Sequence, residues 1–288
     1  MKSIDLFVVG AQKTGSTTVF NWLKSTGAFN AHSQPEMSFF MLKHEYELGY
    51  KKAFKDYFED GDERPVLAKH AMAAYDKETL LRIKSQNPEV RVIFIMRHPI
   101  ERAYSAFWYA RKMGWEHLKS FSEAIDAESS RLTSYIENRN LCYLYNSRYE
   151  IHVDRIIDIF GRDRVLLLTE KDIRKGEASV VRLVDAFIGG ASLVRGASEK
   201  ERFNQGGVPR SYFFSSVIAK ISMSQGWAKK ISRMIFTAKF RSRIRELLIS
   251  LNDSGVKYPP ISEFDRQILL ENLKSSVDFY EGAGVEPE

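Results

Sequence analysis

The chain lacks what a disulfide scaffold, a membrane span or a metal centre would need. Its 288 residues include a single cysteine, Cys142, which excludes an internal disulfide framework and suits a reducing compartment. The six histidines and that cysteine show no metal-ligand spacing. No stretch approaches the roughly twenty apolar residues that cross a bilayer. There is no G-x-S-x-G elbow to anchor a serine hydrolase, no internal repeat, no low-complexity tract and no Pro/Gly/Ser-rich linker. The opening MKSIDLFVVGA faintly resembles a signal peptide, but Asp5 interrupts its apolar run and Gln12-Lys13 follow at once, so it reads as a first buried strand. A cytoplasmic, soluble protein is the expectation. A formal charge of +6 and a pI near 9.2 favour anionic ligands without demanding nucleic acid, and none is expected as a partner.

Strong apolar runs are present at Ile4 to Val9, Val90 to Met96 and Val165 to Leu168, each continuous, as strands buried on both faces are. Helical spacing follows from Thr17 to Ser25, Glu78 to Ser85, Pro99 to about Met113 and Ser179 to Ile188. Strands alternating with helices predict a single α/β domain over residues 1 to 288. Its parallel sheet lies between two helical layers, with a core to about residue 215 and a helical carboxyl-terminal part over 216 to 288. In such sheets ligands sit at the carboxyl ends of the strands.

Two strand ends carry chemistry. FVVGAQKTGSTTVFNWL, Phe7 to Leu23, runs a strand through a glycine-bounded loop into a helix, a ready anion site because helix-start amides and the dipole face it. The nucleotide-triphosphate loop G-x-x-x-x-G-K-[ST] has its lysine directly after the second glycine. Here Gly10 and Gly15 keep the spacing, but Ser16 holds that place and the lysine lies inside the loop as Lys13. The second strand ends not on a magnesium-placing acid but on Arg97, and the following helix carries Arg102, Ser105 and Tyr109 on one face. An arginine and a serine hydroxyl there would grip a second phosphate, so the ligand has two separated anionic groups.

GAQKTGSTTVFNWL together with RHPIERAYSAFWY resembles the two nucleotide motifs of the sulfotransferases that use 3′-phosphoadenosine 5′-phosphosulfate (PAPS), especially the carbohydrate and heparan-sulfate branch and its bacterial relatives. The likeness continues through Gln34-Pro35-Glu36-Met37-Ser38-Phe39-Phe40, Ala68-Lys69-His70 and the late loop Phe203 to Arg210. It implies a P-loop-like core in which Lys13, Thr14, Gly15, Ser16, Thr17 and Thr18 hold the 5′-phosphosulfate. Arg97, Ser105, Gly207 and Arg210 would take the 3′-phosphate. The implied reaction is in-line transfer of the sulfuryl group to a hydroxyl acceptor, a carbohydrate or anionic glycan, leaving 3′,5′-adenosine bisphosphate (PAP). Lys13 would assist the leaving phosphate, and no metal is required because the sulfuryl group carries less charge than a terminal phosphoryl. The base is Glu36 by likeness to the heparan-type enzymes, or His70 by likeness to the small-molecule branch. His98 stands where the family often has an acid.

Other readings stay beside these. Arg97 could close a helix–strand salt bridge, Arg102 reads as structural, and Phe39-Phe40 as core. Lys69, Tyr145 and Arg148 are candidates for acceptor contact. Lys220 to Arg245 holds eight basic and no acidic residues about an apolar stripe: a docked amphipathic helix, or a contact for a glycan or an anionic membrane surface. A P-loop small-molecule kinase or other NTPase, and a non-catalytic adenine-nucleotide-binding protein, are the competing functions. The oligomeric state is not legible.

Overall fold

The computed structural model describes residues 2–189, 208–223, 247–248 and 250–283, with backbone alone over 218–223. Gly207 and nearly all of the basic segment 220–245 lie outside the described residues.

In chain order the elements are β1 (Leu6–Gly10), α1 (Ser16–Ser25), β2 (Asn30–Ala31), α2 (Lys43–Tyr46), α3 (Tyr50–Tyr57), β3 (Val66–Lys69), α4 (Lys77–Gln86), β4 (Arg91–Met96) and α5 (Pro99–Lys112). There follow α6 (Phe121–Asp126), α7 (Glu128–Leu132), α8 (Tyr135–Asn138), α9 (Tyr149–Phe160), β5 (Val165–Thr169), α10 (Glu170–Arg174), α11 (Glu177–Ile188), α12 (Tyr212–Met223) and α13 (Glu263–Ala283).

The five strands form one sheet in the order β2-β3-β1-β4-β5, every pairing parallel. Strand alternation sends Leu6 and Val8 of β1 and Ile93 and Ile95 of β4 to one face, where they meet Val19, Phe20 and Leu23 of α1 and Val180, Val181 and Val184 of α11. Phe94, between the two isoleucines, meets the ring of Tyr149 at the start of α9, 5.8 Å away. Both faces being covered explains why these strands are apolar throughout. The two short strands β2 and β3 have too few residues for a periodicity to register; tertiary pairing, Asn30 to Val66 and Ala31 to Leu67, makes them. Phe39 and Phe40 are buried at 2% and 1%, ring against ring at 4.9 Å, and Phe40 packs on Phe7 at 5.9 Å, which makes them core.

The chain groups into two compact units, Met1–Arg102 with Asn146–Phe203 and Leu273–Glu288, and Ala103–Tyr145 with Asn204–Asn272. The first unit holds the whole sheet and also the last turns of α13, where Tyr280 lies 5.9 Å from the ring of His98. The second unit is organised about buried Glu116, whose carboxylate takes two hydrogen bonds from Arg131, at 2.8 and 3.1 Å, and one from the Tyr143 hydroxyl at 2.8 Å. Around it Tyr104, Phe107, Phe121 and Tyr143 pack edge to face or tilted. Among the described residues, no helix is long and apolar enough to cross a membrane.

Candidate active site

The loop between β1 and α1 is shaped by its backbone. Lys13 takes a left-handed φ of 70°, and Gly15 follows at φ 95° as the N-cap of α1. A Cβ on Gly15 would meet only the mobile end of the Ile173 side chain, at 2.8 Å from Cδ1, so it is the left-handed φ that calls for glycine there. The N-cap therefore carries no side-chain oxygen, and the first turn of α1 holds no acid. The amides that an Asp or Ser cap would ordinarily satisfy are left to a ligand, which suits an anion. Thr14 is buried and donates from Oγ1 to the Ala11 carbonyl at 2.7 Å, while Ser16 and Thr18 are buried in the first turn and Thr17 is half-buried.

Gln12, one residue before Lys13, is held at three points. Its amide donates to the Tyr75 hydroxyl at 3.2 Å, and its carbonyl and Oε1 accept from Arg102 at 3.1 and 3.2 Å. Arg102 is fully buried, reaches the Ser147 Oγ at 3.4 Å, and lies over the Tyr75 ring at 5.7 Å. Arg102 is thus structural, as its sequence reading had it, but what it braces is the loop itself.

At the end of β3 a second constellation forms. The Lys69 ammonium is buried with its side chain 1% exposed; it donates to Glu36 Oε1 at 2.7 Å and to Thr17 Oγ1 at 3.1 Å. Glu36 comes from the loop after β2, keeps a third of its side chain exposed, and accepts at Oε2 from the Ala71 amide at 2.9 Å. The Met37 amide donates to the Lys69 carbonyl at 2.8 Å, running that loop along the strand end. Carboxylate, ammonium and the first turn of α1 are therefore one connected group. His70, also buried, lies next in the chain: its amide continues the sheet to the Val8 carbonyl at 3.1 Å and its Nδ1 accepts from the Met72 amide at 3.3 Å.

Arg97 follows β4 directly. Its guanidinium pairs with Glu101 at 2.8 and 3.2 Å and with Glu170, the first residue of α10, at 3.6 Å. Burial alone would raise the Glu101 carboxyl, but the hydrogen bonds and charge of Arg97 outweigh it and hold it below its ordinary value. Within this clamp Arg97 keeps a quarter of its side chain exposed. Glu101, at i+4, was readable as a partner; Glu170, brought by β5 from 73 residues on, had no local signal.

Arg148 is the N-cap of α9. Ser105, Tyr145 and Arg210 belong to the second unit: Ser105 is buried, the Tyr145 amide donates to Glu128 Oε1 at 2.6 Å, and Arg210 is exposed with its amide on the Asn252 carbonyl at 2.6 Å. Among the described residues no group of three or more His, Cys, Asp or Glu could hold a metal.

Comparison with known proteins adds the family. Residues 3–204 match the model of the sulfotransferase domain. The bifunctional heparan sulfate N-deacetylase/N-sulfotransferase 1 of Xenopus laevis is 25% identical over 196 residues, 64% of this chain and 22% of that protein. The human N-deacetylase/N-sulfotransferase 3 is 27% identical over 197 residues, 63% of this chain and 22% of that protein. This chain thus spans about a fifth of the length of the curated relatives it matches. A solved sulfotransferase from Alicyclobacillus acidocaldarius shares the fold, with a TM-score of 0.60 at 19% identity, covering 84% of this chain and all of that one.

Proposed function

We propose, for a chain that belongs to the sulfotransferase family, that it transfers a sulfuryl group from PAPS to a carbohydrate acceptor, with Glu36 as the general base. The donor, when bound, supplies the sulfuryl group and leaves as the bisphosphate. The observation that carries the reading is the loop from Gly10 to Thr18: a helix start with neither a side-chain cap nor an acid, with Lys13 inside the loop instead of at the kinase position.

Lys13 and the residues from Thr14 to Thr18 hold the 5′ end of the nucleotide, and Lys13 neutralises charge gathering on the departing phosphate. Arg97 takes the 3′-phosphate, loosening its hold on Glu101 or Glu170 as it does so. Two features favour Glu36 over His70. Each Glu36 oxygen receives one donor and keeps a lone pair for an acceptor proton, and the carboxylate is partly exposed, whereas His70 is buried with its Nδ1 engaged in the local turn. Lys69 fixes the position of that carboxylate and ties it through Thr17 to the helix that faces the donor. Tyr145 and Arg148 are proposed to contact the acceptor.

The carbohydrate acceptor is supported by the relatives, heparan sulfate N-deacetylase/N-sulfotransferases, whose transfer is to nitrogen, so an amine is tested with the hydroxyls. The experiment is incubation of the protein and [35S]PAPS with, in separate reactions, heparosan, de-N-sulfated heparin, chito-oligosaccharides and p-nitrophenol. Label entering any of the saccharides, and lost in Glu36→Gln, supports the reading. Label entering only a phenol such as p-nitrophenol, or persisting in Glu36→Gln, overturns the acceptor or the base respectively.

A further inference from the structure

His32 lies just beyond β2 with none of its surface exposed, its ring stacked on Phe20 at 4.6 Å between the edges of Tyr57 and Phe58, each 6.0 Å away. Both ring nitrogens are used. Nε2 is 3.0 Å from the Lys69 amide nitrogen, which can only donate, so Nε2 carries no proton. Nδ1 is 2.8 Å from the Gln34 carbonyl oxygen, which can only accept, so Nδ1 carries one. One neutral tautomer satisfies both bonds, and a doubly protonated ring would set a donor against the Lys69 amide. The two partners are not arbitrary neighbours. Lys69 bears the ammonium of the Glu36 pair, and Gln34 stands two residues before Glu36 on the same loop. The Lys24 ammonium, donating to the His32 carbonyl at 2.9 Å, fixes the backbone from which the ring projects.

We propose that His32 is a positioning residue: its Nδ1–H tautomer cross-ties the Gln34 carbonyl to the Lys69 amide and so holds the Glu36 carboxylate against the Lys69 ammonium. Its value to catalysis rests on the reading of Glu36 as the base; the cross-tie itself does not. A histidine that merely filled the core would satisfy its nitrogens within one segment, whereas this one spans the two segments whose side chains form the ion pair. Burial pushes the imidazole down to about 4, with the nearby Lys69 and Lys24 charges lowering it further and the Gln34 bond and Glu36 opposing them, so the ring stays neutral near pH 7.

The test is 15N NMR of the whole protein and of His32→Phe and His32→Gln, beside calorimetric titration of each with 3′,5′-adenosine bisphosphate. Phe keeps the stacking and loses both bonds; Gln keeps an acceptor for the Lys69 amide. The expected results are an Nδ1–H signal for His32 and a slowly exchanging Lys69 ammonium signal in the parent protein. In His32→Phe the ammonium exchange speeds up at least tenfold, in His32→Gln by less than threefold, and bisphosphate affinity stays within threefold throughout. An Nε2–H tautomer, or unchanged ammonium exchange in His32→Phe, overturns the proposal. So does loss of bisphosphate binding in His32→Phe alone, which would mean general damage instead of positioning. If even the parent protein does not bind the bisphosphate, the donor reading fails, while the tautomer and ammonium signals still decide the role of His32.

Discussion

The pair Glu36 and Lys69 makes a prediction with a magnitude. Removing one member of a fully buried ion pair costs about 3–5 kcal/mol, because the other charge is stranded. Here the ammonium is buried, but the carboxylate is a third exposed, Thr17 Oγ1 remains as an acceptor, and a glutamine oxygen could still accept from the lysine. Glu36→Gln should therefore destabilise by only about 1–2 kcal/mol. Lys69→Met, which leaves Glu36 its Ala71 amide and water, should cost about 1 kcal/mol. The double variant should fall short of additivity by about 1 kcal/mol, read from urea unfolding of all four proteins. Transfer activity should respond far more steeply, Glu36→Gln losing about a hundred- to ten-thousand-fold in kcat, the range a general base supplies. A coupling energy indistinguishable from zero would refute the ion pair. An intact pair with transfer within threefold of the parent would refute the base.

Arg102→Leu should cost about 2–4 kcal/mol, since it strands the Gln12 carbonyl and Oε1, and should weaken bisphosphate binding about tenfold by loosening the loop, measured by calorimetry and thermal unfolding. Gly15→Ala should lose about 1–2 kcal/mol through its left-handed φ, and adding Ile173→Ala should recover little of it because the Ile173 Cδ1 can turn aside, as urea midpoints will show. For His32, held down to about 4, the unfolded chain takes up the proton first as pH falls below 6.5. Its contribution is complete above 6.5 and is lost toward pH 4, amounting to about 3 kcal/mol, and His32→Phe should flatten that acid limb of the stability curve.

What could be read in advance follows from range. The strands β1, β4 and β5 and the helices α1, α4, α5 and α11 were legible because apolar runs, caps and glycine stops are local signals. The shape of the loop from Gly10 to Thr18, a glycine-bounded turn leading into a helix, was legible for the same reason. By contrast β2 and β3 exist through pairing with neighbours, and α13, kinked at Leu273, has a mixed surface whose apolar residues give little periodic signal. Within the site, Glu36 and Lys69 were singled out separately by resemblance, but nothing in two segments 33 residues apart tells that their side chains meet at 2.7 Å. The carboxylates around Arg97 divide in the same way, Glu101 by helical spacing and Glu170 by the fold alone. Arg102 reads as a plain structural arginine until Gln12, 90 residues earlier, is seen to be what it supports.

The proposed function requires a pocket for a nucleotide with two separated anionic groups, built from the Lys13 loop and Arg97. Calorimetric titration with 3′,5′-adenosine bisphosphate, 5′-AMP and Mg²⁺-ATP, repeated on Arg97→Ala, decides whether it exists. Metal-independent bisphosphate binding should be at least tenfold tighter than that of AMP, with that difference abolished in the variant. Preference for Mg²⁺-ATP, or equal affinity with and without the 3′-phosphate, would contradict it.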